Sequence, residues 1–242
     1  MTKLPAWIDI LLIPMINLII ALFISALVVL YIVENPIYAM SLMIKGAVGN
    51  SYGWGYTLYY ATNFIFTGLA VSIAFHARIF NIGGEGQAML GCLGVALVCL
   101  MVPWPHWIIS LPVAVIGGAL FGAAWAAIPA YLQAKRGSHI VITTIMFNFI
   151  ASALLVYLLV NVLKVPGSMA PETARFPEGA RLPTGHDMLG WLGIKFSKSP
   201  PVNISLLVAI LSCFAIWFLI WKTKLGYEII AFGHSESAAK YA

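Results

Sequence analysis

Apolar residues in this chain gather into long runs, and the polar residues fall mostly in the gaps between them. A run of roughly 18 apolar residues is long enough to cross a bilayer as a helix. The pattern predicts spanning helices over residues 7–33, 57–77, 88–102, 108–132, 141–163 and 202–221. Residues 37–47 are apolar but short, and Gly46, Gly49, Gly53 and Gly55 follow them. This stretch reads as a re-entrant or interfacial segment. The first helix ends at Glu34-Asn35-Pro36, because proline disfavours helix in the residue before it. Residues 164–201 form one long proline-rich polar connection, and connections of that length are often functional. Within it, residues 188–194 form a small apolar patch expected to rest on the membrane surface.

One gap is unlike the others. Residues 80–87 read Phe-Asn-Ile-Gly-Gly-Glu-Gly-Gln and lie between two apolar runs. Carboxylates and amides at membrane depth are costly unless they pair or line a wet cavity. The following run, 88–102, covers roughly 22 Å as a helix, against a hydrocarbon core of about 30 Å. Pro103-Trp104-Pro105-His106 fixes its far end at an interface, so its near end is expected inside the bilayer. Gly83, Gly84 and Gly86 would then form a backbone break, as in the discontinuous helices of transporters. Asn81, Glu85 and Gln87 would line a polar path. Glu85 has two further readings, as a partner of Arg78 or as an acid favoured by the helix dipole.

Composition agrees with a membrane protein: 62% of the 242 residues are hydrophobic and 9% are charged. The basic residues are scattered over connections rather than drawn into a stripe, which speaks against nucleic acid. The basic pair Lys135-Arg136, set against Pro103–His106 with no Lys or Arg, places the N-terminus and residues 222–242 in the cytoplasm by the positive-inside rule. Cys92, Cys99 and Cys213 all fall inside apolar runs and read as small buried hydrophobes. In the run 108–132, Gly118, Gly122 and Ala126 recur every four residues, as do Ala119, Ala123 and Ala127. Small-residue faces of this kind allow close helix contact, although chance in an Ala/Gly-rich helix gives the same spacing.

Several chemistries are poorly served. No G-x-x-x-x-G-K-[ST] string occurs, and Gly84-x-Gly86 continues to Met89 where a dinucleotide fingerprint needs a third glycine. No paired-Cys or H-E-x-x-H metal spacing is present, and no cofactor is expected. The histidines at 76, 106, 139, 186 and 234 are spread over helix ends and connections. A proton relay would call for several acids in register, and Glu85 stands alone.

Three motifs carry a family resemblance. Residues 80–87, preceded by Thr67-Gly68-Leu69-Ala70, resemble the permease subunits of bacterial ABC importers, in the branch holding simple-sugar and nucleoside permeases. Thr143-Thr144-Ile145-Met146-Phe147-Asn148 looks like the same family's motif at the start of the fifth helix. Leu225-Gly226-Tyr227-Glu228, Ala231-x-Gly233 and Ala238-Ala239-Lys240-Tyr241 look like its cytoplasmic coupling segment. The form at 81–87 is closer to nucleoside permeases than to ribose-type ones.

The resemblance implies an all-α integral membrane domain with about six spanning helices and a re-entrant element, forming the first half of a permease. It implies import of a small polar solute, most simply a nucleoside, across the bacterial cytoplasmic membrane. Thr143, Thr144 and Asn148 join the path residues on this ground. Gly226, Ala231, Gly233, Ala238, Ala239 and Tyr241 become the coupling contacts. The partners implied are a separate cytoplasmic ABC ATPase, a second permease subunit, an extracytoplasmic solute-binding protein and membrane lipid. The permease itself would make and break no covalent bonds. Residues 164–201 would face outside and help dock the binding protein. Family members usually continue with more membrane helices, so the chain looks like a fragment or a truncated product. A simple-sugar permease, a gradient-driven carrier that uses Glu85, and a membrane scaffold remain as alternatives.

In residues 225–242, Gly233 is expected to stop a helical turn in a left-handed conformation. Ser235 then caps a short helix. The segment seats either on a partner or, as an amphipathic helix, on lipid.

Overall fold

Two polar residues at helix starts, Asn35 and Thr223, set much of the local architecture. The computed structural model describes residues 8–32, 35–191, 193 and 195–239. The expected helix ends at Trp7 and Val33 and the coupling residue Tyr241 lie outside them. Among the described residues all named elements are helices, and six are long and apolar enough to cross a membrane. The chain divides into two units, residues 1–57 and 58–242.

In the first unit a π-helical turn, Ile8–Leu12, leads into α1, Ile13–Tyr31, which buries no residue. Helix α2, Pro36–Val48, begins as its sequence requires. Asn35 Oδ1 accepts from the backbone N–H groups of Ile37 at 2.9 Å and Tyr38 at 3.3 Å. Pro36 fills the first helical position, where an N–H would have no partner. The stretch read as a re-entrant or interfacial segment, with the glycines that follow it, is largely helical. Helix α3 runs over Ser51–His76 and takes in Gly53 and Gly55. Gly53 is needed for contact, because a Cβ there would strike the Gly46 carbonyl. Thr57 Oγ1 donates to the Ala47 carbonyl oxygen at 2.9 Å.

The core of the second unit lies among three helices: α4 (Gly84–Met101), α5 (Trp107–Arg136) and α6 (Ile140–Asn161). Leu90, Leu93 and Ala151 are buried together, with Trp125 and Leu154 packed around them. Glycines bring α4 and α5 together. A Cβ on Gly94 would come 2.6 Å from the Gly117 carbonyl oxygen, and one on Gly91 3.3 Å from that of Gly118. Of the two expected small-residue faces, Gly118, Gly122 and Ala126 are partly buried, while Ala119, Ala123 and Ala127 are exposed. Helix α5 ends on Gly137, whose φ of 67° is the left-handed cap that glycine adopts without strain.

The long connection is more ordered than its proline content suggests. A 3-10 turn at Glu178–Ala180 rests on α4 and α5, where Ala180, Cys99 and Ala114 are buried together. Ser110 Oγ donates to the Gly179 carbonyl oxygen at 3.1 Å. Helix α7, Gly185–Trp191, covers most of the expected apolar patch, with Leu192 and Ile194 outside the described residues.

Helix α8, Ser205–Lys222, turns at Thr223 into α9, Lys224–His234, and then α10, Glu236–Ala239. Thr223 Oγ1 accepts from the Gly226 N–H at 3.2 Å and donates to the Leu219 carbonyl oxygen at 2.6 Å. Gly233 corrects the expectation of a left-handed stop: it lies inside α9. It is glycine because a Cβ there would strike the His76 carbonyl oxygen at the end of α3.

Candidate functional site: the head of helix α4

The break between α3 and α4 sits earlier than the glycine count suggests. It spans residues 77–83, and α4 begins at Gly84. Its 18 residues give a length of roughly 27 Å, close to the hydrocarbon thickness, so helix shortness no longer argues for depth. None of Gly83, Gly84 and Gly86 has positive φ. Gly84 and Gly86 are helical, and only Gly83 belongs to the break. The unusual backbone lies at Arg78, with φ of 54°, a value uncommon outside glycine. It turns the chain out of α3.

The remaining glycines serve close approach. A Cβ on Gly86 would lie 3.0 Å from Asn148 Oδ1, 3.1 Å from Trp125 Nε1 and 3.2 Å from the Ala151 Cβ. A Cβ on Gly83 would lie 3.0 Å from Asn81 Oδ1 and 3.1 Å from both Gln87 Nε2 and the Thr144 Cβ. Three other parts of the chain, the break, α5 and α6, therefore converge on the first turn of α4.

Asn148 holds them there. Its Oδ1 accepts from the Gly86 N–H at 2.9 Å, and its Nδ2 donates to the Ile82 carbonyl oxygen at 3.0 Å. One amide thus satisfies an unpaired N–H of the α4 head and a carbonyl of the break, groups that a helix end leaves without partners. Asn81 does the same locally, with Oδ1 accepting from the Gly83 N–H at 2.8 Å. Thr143 Oγ1 donates to the His139 carbonyl oxygen at 2.9 Å, and Thr144 Oγ1 to that of Ile140 at 2.8 Å.

These bonds sort the expected path residues. Asn148 spends both polar atoms of its amide on the backbone, Asn81 its Oδ1, and Thr143 and Thr144 their hydroxyl protons. Of the expected path residues, Glu85, exposed on the first turn of α4, and Gln87, half-buried, are the two whose side chains no hydrogen bond occupies among the described residues. The residues expected to couple form a second group on α9 and α10, and Gly233 packs against His76 and Ala77 where the break begins. Gly226 and Gly233 are buried, Ala231 is half-buried on α9, and Ala238 and Ala239 lie on α10.

Two further residues were not anticipated. Trp125 packs edge-on against Phe147, with ring centroids 5.4 Å apart, and reaches the α4 head. A Trp set between the alanine pairs 123–124 and 126–127 of α5 is the sequence sign of it. Arg181 lines a cavity of about 450 Å³ between α4, α5 and the long connection, with Phe176, Thr184 and Asn203.

Six apolar helices and a polar break braced from a neighbouring helix define a multi-pass membrane protein of permease type. The chain belongs to the family described as the permease component of branched-chain amino acid transport systems, which it matches over residues 53–242. The guanosine ABC transporter permease of Bacillus subtilis is 33% identical over 96% of this chain and 64% of its own length. The glucose ABC transporter permease of Haloferax volcanii is 31% identical, over 95% of this chain and 60% of its own. The nucleoside ABC transporter permease of Lactococcus lactis is 29% identical, over 96% and 63%. The chain thus spans less than two thirds of the length of these relatives. No solved structure matches it significantly.

Proposed function

We propose that this chain serves as the membrane-spanning permease of an ABC importer that carries a nucleoside into the cell. The observation that carries the reading is the head of α4, where Asn148 and Asn81 satisfy the backbone and leave Glu85 and Gln87 for a solute. An amide and a carboxylate together offer both donors and acceptors to the hydroxyls and base edges of a nucleoside. The relatives named for guanosine and nucleoside transport support that substrate class. A glucose permease of similar identity supports a second reading, in which the solute is a simple sugar.

On this reading the ATPase is a separate cytoplasmic subunit that docks on α9 and α10. A second permease subunit completes the path. Residues 164–201 face outward and receive a solute-binding protein. The chain then lies in the cytoplasmic membrane with its N-terminus inside.

The test is ATP-dependent uptake by the whole transporter in proteoliposomes, offered guanosine, adenosine, uridine, ribose and glucose. Nucleoside uptake that requires the ATPase is the expected result. Glucose uptake alone selects the sugar reading, and uptake driven by a proton gradient without ATP overturns both. Ala239→Arg is expected to abolish transport and co-purification of the ATPase while membrane insertion persists. Normal co-purification and transport would reduce α9 and α10 to a surface anchor.

A further inference from the structure

Trp125 carries a buried indole N–H with no hydrogen-bond partner among the described residues. Buried donors are nearly always paired, so an orphan of this kind calls for an explanation. An acceptor lies close by. Asn148 Oδ1 receives the Gly86 N–H at 2.9 Å. The point where a Gly86 Cβ would stand is 3.1 Å from Trp125 Nε1 and 3.0 Å from that same oxygen. Donor and acceptor thus flank one spot, which glycine leaves clear and any other residue would fill with a carbon.

We propose that Trp125 is a positioning residue for the break, and that its indole N–H takes Asn148 Oδ1 in a second arrangement of α4, α5 and α6. In the arrangement described above, the Gly86 N–H holds the oxygen and the indole waits. In the other, α5 closes on the clip, the indole takes the oxygen, and the Gly86 N–H is released at the first turn of α4. The exchange swaps one N–H donor for another at a single carbonyl, so each state leaves one of the two donors unpaired. A free N–H at a helix head favours a polar or negative group, and Glu85 and Gln87 stand beside it. Gly86 is then the passage through which α5 acts on α4. The Phe147 ring steadies the indole and limits its motion to a small displacement of the whole helix. This inference rests on the transport reading, because it assigns the two arrangements to the two states of an ATP-driven cycle.

The experiment follows the 15N–1H resonance of the Trp125 indole in the whole transporter in lipid nanodiscs, assigned by its loss in Trp125→Phe. Spectra are compared without nucleotide and with ATP and vanadate. The expected result is a downfield move of the indole proton in the trapped state. Trp125→Phe removes part of the ring as well as the N–H, so it is paired with benzothienylalanine at position 125, which keeps the bicyclic ring on Phe147 and removes only the N–H donor; for that isostere a packing role predicts near-normal transport. The inference predicts at least a tenfold fall in turnover with little change in KM. Gly86→Ala is expected to hold the resonance at one position in both states. An indole proton that stays put on trapping in the wild-type protein, or wild-type turnover in either Trp125 variant, overturns the proposal. The resonance needs no identified solute, so a sugar substrate would sink the nucleoside reading and leave this one standing.

Discussion

Helices α1 and α4 are nearly the same length, 19 and 18 residues, and both are apolar enough to span a membrane. The more apolar of the two is the less packed. No residue of α1 is buried, whereas 28% of the α4 span is. In a bilayer, apolar side chains gain little by leaving lipid, so hydrophobicity alone does not pull helices together. Close van der Waals fit and satisfied polar groups do. Helix α4 has both, in Gly91 and Gly94 against α5 and in the Asn148 clip at its head. Helix α1 offers Leu, Ile and Phe, with Phe23 and Ile19 well exposed.

The sharpest way to break this contrast is to enlarge Gly94. Gly94→Val would drive a branched side chain into the Gly117 carbonyl and the Phe121 ring, which already stand 2.6 and 2.9 Å from a Cβ. Overpacking of this kind costs about 1–3 kcal/mol, occasionally more, and we expect the upper end because the obstacle is backbone. The matched change in the other helix, Ile19→Ala, is expected to stay within about 0.5 kcal/mol. Thermal unfolding of both in lipid nanodiscs checks the pair. Equal losses would show that α1 packs as tightly as α4.

Asn148→Ala comes next. It strands the Gly86 N–H, where a buried polar group left unpaired costs about 1–3 kcal/mol, and frees the exposed Ile82 carbonyl, which water can take up. Because the α4 head is held by this one side chain, transport is expected to fall more than tenfold. Glu85→Gln separates holding from contact. The Glu85 side chain is exposed, so stability should not move, while KM for the solute should rise. An unchanged KM would remove Glu85 from the path.

These two substitutions also mark what the sequence could and could not disclose. The spans, their order and the polar interruption were legible, because long apolar runs leave few alternatives to a helix in lipid. The position of the break was not. Three glycines in four residues suggested irregular backbone, yet Gly84 and Gly86 are helical and the turn is made by Arg78. Glycine has two uses, bending and close approach, and only the neighbours tell them apart. Those neighbours, Asn148 and Trp125, lie 62 and 39 positions from Gly86 in the chain. The same limit applies to Asn81, Thr143 and Thr144, whose bonds to the Gly83 N–H and to the His139 and Ile140 carbonyls leave no mark in the sequence.

In the first unit the caps should matter more than the packing. Asn35→Ala removes the acceptor for the Ile37 and Tyr38 N–H groups and should cost about 1 kcal/mol. Asn35→Asp keeps an acceptor and is expected to retain most of that. Hydrogen exchange at the first turn of α2 reads both, and equal protection in all three proteins would show that Pro36 alone starts the helix.

The smallest effect lies outside the spans, at the head of α7, where a carboxylate caps in water. Asp187 Oδ2 accepts from the Thr184 hydroxyl at 2.8 Å and its N–H at 3.1 Å. The Asp187 N–H in turn donates to Thr184 Oγ1 at 3.3 Å, which completes a reciprocal capping box. The Thr184 hydroxyl, and then its backbone N–H, hold the Asp187 carboxyl below its ordinary value. A lowered value in the folded state means that the unfolded segment binds the proton more readily. The stabilisation is therefore complete above the unfolded carboxylate value of about 3.9 and fades as pH falls through the lower folded one. The group is fully exposed, so the effect is small and screened by salt. Hydrogen exchange at residues 185–188, corrected for the intrinsic pH dependence, should show α7 opening more often at pH 3 than at pH 6. Asp187→Asn should flatten that difference, and a difference that survives the substitution would assign the pH response to another group.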